Sequence, residues 1–393
     1  MKVLVPESLA ALQQQVQQLH AEATPWLPAG LASRLDWGPP VRATSLVLSC
    51  RGLGGIRQHR PGDFTLTVAA GTTLEEVQAA LAPHRQWLAV DHPWGQAPSS
   101  IGGLLARGLS GGYRQRAMGV RDQLLGLQLL RSDGVLARAG GQVVKNVAGY
   151  DLMRLLCGSW GSLGLITEVT LRVQPIPPER RSLLIQGELN ALAALARWLL
   201  GSSLSPERSD LGSAPVAAAA GLDGQPWLLI SLASIDAATL GEQMACIEGK
   251  ASPLPVQELD PDGAQALLAA QRGLGTAGDD WLLRLGVPPS QAGSLLAAPE
   301  LQGLPVVLAA GSGSGDAWGS ASALPRHRVD TLRQRCTALG GHLSVLRQPA
   351  PANGSDPLPA WLDAPSRPLI EAVKREFDPL QQLARGRLPG VAG

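Results

Sequence analysis

Three stretches of this 393-residue chain combine small, polar and cationic residues in patterns suited to an anionic ligand. The first is Pro28-Ala29-Gly30-Leu31-Ala32-Ser33-Arg34, a small-residue loop that ends in a hydroxyl and a guanidinium. Such a loop can offer backbone N–H groups and Arg34 to a phosphate; it also reads as a plain surface turn. The second is Ser99-Ser100-Ile101-Gly102-Gly103, which opens a helical turn through Leu104 and Leu105. Hydroxyls, side-chain-free glycines and a helix start suit a pyrophosphate, because first-turn N–H groups lack intrahelical partners and the dipole favours anions. A serine-capped helix with a glycine-rich start is the structural alternative. The third runs from Val143 to Thr167 and gathers Lys145, Asn146, Tyr150 and Asp151 around glycines. Gly149 marks a sharp turn, and Gly158, Gly161 and Gly164 allow close backbone approach before a strand. Together the three loops read as the walls of one cofactor site.

Residues for catalysis are sparser. The histidines are His20, His59, His84, His92, His327 and His342, with no pair at H-x-H or H-x-x-x-H spacing, so no metal site is expected. His342 follows Gly340-Gly341, where a base could sit; it reads equally as a plain histidine at the start of a strand. Arg284, in WLLRLG, could pair bidentately with a substrate carboxylate; a solvent-facing strand charge is the alternative. Cys50, Cys157, Cys246 and Cys336 form no C-x-x-C pair, which argues against an iron–sulfur cluster or zinc ribbon within the chain. Their wide spacing suits a reducing cytoplasm.

The elements that must position these loops follow from periodicity. Leu9, Leu12, Val16 and Leu19 share one face of a helix over Ser8–Ala21. A short strand near Trp26 feeds the first loop. Leu46–Ser49 and Phe64–Ala69 read as strands, and Thr73-Leu-Glu-Glu76 has capping-box spacing for a helix to about Leu81. Trp87–Val90 is a short strand, and Leu124–Leu130 with Val135–Arg138 reads as a hairpin. The alternation Val169, Leu171, Val173 gives a strand that ends at the PIPP punctuation of Pro175–Pro178. Beyond it, strands at Ser182–Gln186, Trp227–Leu232, Trp281–Gly286, Pro305–Ala309 and His342–Arg347 alternate with helices, fitting two β-α-β units in one sheet with helices on one side. The expected domains are 1–175, 179–347, a proline-rich linker at 348–366, and a C-terminal helix and tail at 367–393.

A net charge of +1 supplies no field to draw nucleic acid or an anionic membrane. The N-terminus has no long apolar run of the secretory kind, and the most apolar helical run, Leu189–Leu200, is short and carries Arg197, so no transmembrane segment is expected. No G-x-G-x-x-G follows a strand with an acidic residue downstream, which argues against a Rossmann dinucleotide fold.

The runs LTVAAGTTL, APSSIGGLLARGLSGG, GVRDQLLG and VVKNVAGYDLMRLLCGSWGSLGLITEV, spread over Pro25–Gln174, resemble the PCMH-type FAD-binding domain of the vanillyl-alcohol-oxidase-like family. The joined run KNVAGYD…GSWGSLG is similar to that of the smaller flavin-binding subunit of glycolate oxidase. Lys374, Asp378, Pro379 and Arg387 resemble the family's terminal K-x-x-x-D-P…N-P-G-R element, with Ala384 and Arg385 departing from it. The resemblance implies an α+β fold. Two α/β subdomains would clasp an extended FAD, followed by a smaller ferredoxin-like α+β domain. It implies Gly30, Ser33 and Arg34 on one side of the pyrophosphate and Ser99, Ser100, Gly102 and Gly103 on the other. Gly119 and Asp122 would line the isoalloxazine or ribityl chain, and Gly149, Gly158, Gly164 and Ile166 would offer backbone; Lys145 or Tyr150 could face the flavin. Arg34 stands where relatives with covalent flavin carry histidine, so FAD is expected to be non-covalent. The implied activity is oxidation of a small 2-hydroxy acid, glycolate to glyoxylate. The implied partners are a larger flavoprotein subunit and an iron–sulfur subunit, in the cytoplasm or at the inner face of the plasma membrane through those partners. A stand-alone FAD-dependent dehydrogenase of another hydroxy acid, and a scaffold subunit that has lost flavin, are the alternatives.

Overall fold

The structure, a computed structural model, describes residues 1–91, 94–143, 150–274, 280–350 and 356–392. The first half holds two sheets. In the smaller, β1 (Lys2–Leu4), β2 (Leu27–Ala29) and β3 (Leu46–Ser49) run parallel in the order β1-β3-β2, with α1 (Leu9–Ala21) connecting the first two strands. The larger sheet is antiparallel. It uses β4 (Ile56–Arg60), β5 (Thr65–Ala69), β7 (Leu124–Leu130), β8 (Leu136–Gly140) and β9 (Leu165–Arg172), in the order β4-β5-β9-β7-β8. β6 (Gln86–Trp87) and β10 (Gln174–Pro175) form a short ribbon. Four helices join these strands: α2 (Leu74–Leu81), α3 (Ile101–Arg107), and the single turns α4 (Arg114–Ala117) and α5 (Val120–Gln123). The expected Thr73/Glu76 capping box is formed at α2, and Ser100 caps α3 by accepting from the Gly103 N–H. The helical segment expected from Asp151 is a short 3-10 turn, Leu152–Leu155.

The second half is one eight-stranded antiparallel sheet. Its first four strands are β11 (Glu179–Gln186), β12 (Arg208–Gly212), β13 (Trp227–Ser234) and β14 (Val256–Leu259). With α6 (Leu189–Gly201) and α8 (Ala237–Ala251) they make a ferredoxin-like unit of order β14-β11-β13-β12. α7 (Ala214–Ala219) and α9 (Pro261–Arg272) are additions to this unit. β15 (Trp281–Gly286), β16 (Val306–Ala309), β17 (Ser314–Gly319) and β18 (His342–Arg347), with α10 (Ala292–Leu296) and α11 (Arg326–Ala338), repeat the plan as β16-β17-β15-β18. The β12–β16 pairing fuses the two units edge to edge.

Strand alternation divides the packing. Leu183, Ile185, Leu228, Ile230, Leu283 and Leu285 face α6, α8, α10 and α11 in one core. The opposite face, with Leu184, Trp227, Leu229, Leu282 and Trp318, packs on α7, α9 and Trp37 of the first half. The chain then returns: α12 (Arg367–Phe377) lays Val373 and Phe377 on the first-half core, and Leu383 bridges to Trp26. Lys374 is buried there, with Nζ 2.5 Å from Asp378 Oδ2 and donating to the Ser162 and Leu383 carbonyls. Among the described residues no helix is long and apolar enough to cross a membrane.

Candidate functional site

The loop after β2 and the start of α3 meet face to face. A methyl added at Gly30 would lie 1.9 Å from Ser100 Oγ, and one at Gly102 would lie 2.7 Å from Ala70 Cβ, so both glycines permit contacts that side chains would block. With Trp160, Gly161, Gly164, Ile166 and Arg387 these segments line a cleft of about 740 Å³. Ala32 is in the left-handed region, with φ +57°. The backbone N–H groups of Leu31, Ala32, Ser33 and Arg34 donate to no acceptor among the described residues. A run of such N–H groups through a left-handed residue is an anion nest.

Two expectations are corrected here. The first-turn N–H groups of α3 are already taken: Ile101 by Thr72 O, Gly102 by Ala70 O, Gly103 by Ser100 Oγ and Leu104 by Ser100 O. The unpaired donors lie in the opposite loop. Nor is the Arg34 guanidinium directed to a ligand. It donates to the carbonyls of Trp94, Ala97 and Pro98 and to Ser33 Oγ, fastening the 94–98 loop. The available cation is Arg107, from the far end of α3. Its one hydrogen bond among the described residues goes to Ser99 Oγ, at 2.9 Å. Burial, with the nearby Arg34 charge, lowers its pKa to about 9. A buried guanidinium without a counter-ion is held at a free-energy cost that a bound anion removes. Arg387, lowered to about 10 by burial, reaches the same cleft and donates to Pro39 and Leu35 carbonyls.

Arg107 also lines a second cleft, of about 910 Å³, between the two halves. The guanidinium carbons of Arg34 and Arg107 lie 5.5 and 5.4 Å from the Trp37 ring centroid. The second cleft is walled by charges from β12 and β17. Arg208 pairs with Asp210 at 2.7 Å and with Asp91 of the first half at 3.3 Å. Burial raises the Asp210 carboxyl pKa against the pull of Arg208, while Asp210 and Asp91 hold Arg208 firmly protonated. Asp316 accepts from Trp94 Nε1 at 2.6 Å and pairs with Arg284 at 2.8 Å; burial raises its pKa as well. Arg284 donates further to the Ser110 carbonyl.

The structure thus brings Gly30, Ser33, Arg34, Ser99, Ser100, Gly102, Gly103, Gly164 and Ile166 to one cleft, and Arg284 to the other. Gly119 and Asp122 line neither; the Asp122 carboxylate accepts from the Gly119 N–H and caps α5. Gly158, at φ +79°, packs under the end of α3, donating to the Leu105 carbonyl. His342 is exposed at the start of β18 and lines neither cleft. Tyr150 is 88% exposed. Gly149, Lys145 and Asn146 lie outside the described residues, as does His92. Sequence reasoning missed Arg107, Trp37, Asp91 and the Arg208–Asp210 pair. The alternating Arg208 and Asp210 in RSDLG were the available signal, since two charges on one face of a strand must meet a polar wall. Among the described residues no group of histidine, cysteine and acidic side chains could hold a metal ion.

A family model described as an FAD binding domain matches residues 2–140. The chain is 37% identical over 193 residues to the glycolate oxidase subunit GlcE of Escherichia coli, covering 48% of this chain and 54% of that one. It is 32% identical over 183 residues to a D-2-hydroxyglutarate dehydrogenase of Xanthomonas citri (47% and 39%). It is 29% identical over 206 residues to the glycolate oxidase subunit GlcD of Bacillus subtilis (52% and 43%). The chain spans about half the length or less of each of these relatives. A solved alkyldihydroxyacetonephosphate synthase matches 98% of this chain and 75% of its own, with a TM-score of 0.71 and 13% identity, which is a likeness of fold. The fold is that of a PCMH-type FAD-binding protein, and FAD is the cofactor its first half serves.

Proposed function

We propose that this chain, whose residues 2–140 carry the FAD-binding domain, works as a subunit of a complex that oxidises a small 2-hydroxy acid, with glycolate oxidised to glyoxylate as the first case to test. The observation that carries the reading is the pair of clefts meeting at Arg107: one with an unpaired backbone nest, the other lined by paired charges and tryptophans. In this reading the N–H groups of residues 31–34 and Arg107 hold the pyrophosphate of FAD, and Trp160 and Arg387 flank the same cleft. FAD, when bound, supplies a two-electron acceptor. Arg34, being fastened to three carbonyls, offers no atom for a covalent flavin bond, so attachment is non-covalent. The inter-half cleft then receives the substrate, where the Arg208–Asp210–Asp91 and Arg284–Asp316 pairs fix the wall. The partners are a larger flavoprotein subunit and an iron–sulfur subunit; the printed names of two relatives as glycolate oxidase subunits support assembly into a complex.

A second reading is a chain that carries flavin while a partner performs the proton chemistry. The full chain is purified and its visible spectrum recorded before and after acid precipitation. Free FAD in the supernatant supports the cofactor assignment and its non-covalent attachment. Glycolate is then added anaerobically to the chain alone and to the reconstituted complex. Bleaching only with partners present supports the second reading, and no bleaching in either setting removes glycolate as substrate.

A further inference from the structure

Three buried polar atoms on the wall of the inter-half cleft have no hydrogen-bond partner among the described residues: Gln271 Nε2, Asp316 Oδ1 and Asp210 Oδ1. Gln271 is only 2% exposed and Asp316 4%, so both side chains are held inside the fold, where an unpaired polar atom calls for an explanation. Asp210 lies on β12 with its other oxygen taken by Arg208. The other two belong to a small inventory. Arg284 and Arg208 are committed to carboxylates, and Arg107 serves the junction with the nucleotide cleft. Arg272, which follows Gln271 at the end of α9, lines only this cleft; its guanidinium makes no hydrogen bond or ion pair among the described residues, and the Glu75 carboxylate acts on it only at longer range. Among the described residues the cleft therefore holds two adjacent sets of unused donors, on Gln271 and Arg272, and an unused acceptor on each of β12 and β17.

We infer that the end of α9 is the carboxylate-reading element of the substrate site: Gln271 Nε2 and the Arg272 guanidinium donate to the carboxylate, and Asp316 Oδ1 accepts from the 2-hydroxyl. This assignment rests on the 2-hydroxy-acid reading above and replaces Arg284 as the carboxylate partner. A neutral amide beside a guanidinium supplies convergent N–H groups for both carboxylate oxygens. Asp316, held on its Oδ2 side by Trp94 and Arg284, keeps its other oxygen in place. The ligand class is a small monocarboxylate with a hydroxyl on the adjacent carbon.

The test uses the FAD-loaded full chain and two probes that cannot be oxidised to a 2-keto acid: 2-hydroxyisobutyrate, which has no α-hydrogen, and its deoxy counterpart isobutyrate, which has no hydroxyl. Binding is read from tryptophan fluorescence, since Trp37 and Trp94 line the cleft. Wild type is expected to bind both and to prefer the hydroxy acid. Arg272→Ala is expected to weaken both by tenfold or more, the usual loss for a hydrogen bond to a charged group, with Arg272→Lys recovering part of it. Gln271→Leu weakens both less, and Asp316→Asn erases the preference between them. Unchanged FAD content and far-UV circular dichroism establish that each variant is folded. Arg272→Ala affinities within twofold of wild type, or no binding of either probe by wild type, overturn the inference. Glycolate bleaching of wild type separates the two levels. Bleaching with Arg272-independent binding sinks this assignment alone, and Arg272-dependent binding without bleaching sinks the activity reading alone.

Discussion

Replacing Arg107 by methionine should loosen FAD while leaving the FAD-free protein as stable as before or more so. The two effects have one cause. Arg107 lies beside another guanidinium, and burial pushes its pKa far below the ordinary arginine range, to about 9. At 1.36 kcal/mol per pH unit, that fall is roughly 5 kcal/mol of unfavourable charge burial before screening. Arg107 is partly open to the clefts, so about half of that, ~2–3 kcal/mol, is a fairer figure. Against it stand the bond to Ser99, worth about 1 kcal/mol, and the contact with Trp37, worth about 0.5–1 kcal/mol. Methionine removes the burdened charge and keeps most of the apolar stem, giving a net change of ~0–1 kcal/mol in favour of the apo fold. In the holoprotein the sign reverses. A lost charge-assisted bond to phosphate costs about 1.5–3 kcal/mol, which weakens FAD by roughly ten- to a hundredfold. The linkage has a matching sign. A cation with a lowered folded pKa binds fewer protons folded than unfolded, so apo stability should rise between about pH 9 and 12 in wild type, and less so in Arg107→Met. Thermal unfolding of the apo protein and fluorescence titration with FAD measure both arms. An apo protein that melts well below wild type, with FAD affinity unchanged, would refute the counter-ion argument.

Gly30→Ala should lower FAD occupancy and stability together, by about 2–4 kcal/mol, because its methyl displaces Ser100 Oγ from the α3 cap; Gly62→Ala, with nothing within 4 Å, is the control, and equal melting temperatures for the two variants would contradict the close-approach reading. Lys374→Met leaves Asp378 buried without its cation and should cost about 3–5 kcal/mol by urea unfolding, although Asp378 also accepts from the Gln382 and Leu383 N–H groups. Glu300 is paired with Arg335, which lowers its carboxyl pKa. Its stabilisation is present above the ordinary glutamate range and is lost as pH falls through the lowered folded value. Glu300→Gln should therefore flatten the acid limb of the stability curve and destabilise the protein at neutral pH.

Local chemistry in the sequence accounted for much of the frame. The capping box at Thr73, the α1 stripe of Leu12, Val16 and Leu19, and the core strands of the first half formed where their patterns placed them. The glycines at 30, 102 and 164 were legible because close backbone approach leaves a compositional mark. In the second half, the apolar strands β11, β13, β15, β16 and β18 were readable and β12, β14 and β17 were not. The hidden strands β12 (RSDLG) and β17 (SGDAWG) carry the charges of the inter-half cleft, so their polar sequences defeat a hydrophobic pattern. α9 escaped notice for a related reason: it ends in Gln271 and Arg272, which turn to the cleft and away from the core.

What the sequence determined by itself was therefore the backbone chemistry: where glycine lets chain approach chain, where a serine caps a helix, and which apolar faces must be buried. Only the tertiary structure decided how the charges were spent. Arg34 and Arg107 are both cations beside the same loops, yet the carbonyls of residues 94–98 engage the first, while among the described residues the second has a single hydroxyl partner. Arg284, Asp316, Arg208 and Asp91 come from segments up to 225 residues apart, and pairing across that distance depends on the fused eight-stranded sheet closing against the first half. A side chain's partner is a property of the assembled dielectric and geometry, and no local pattern encodes it.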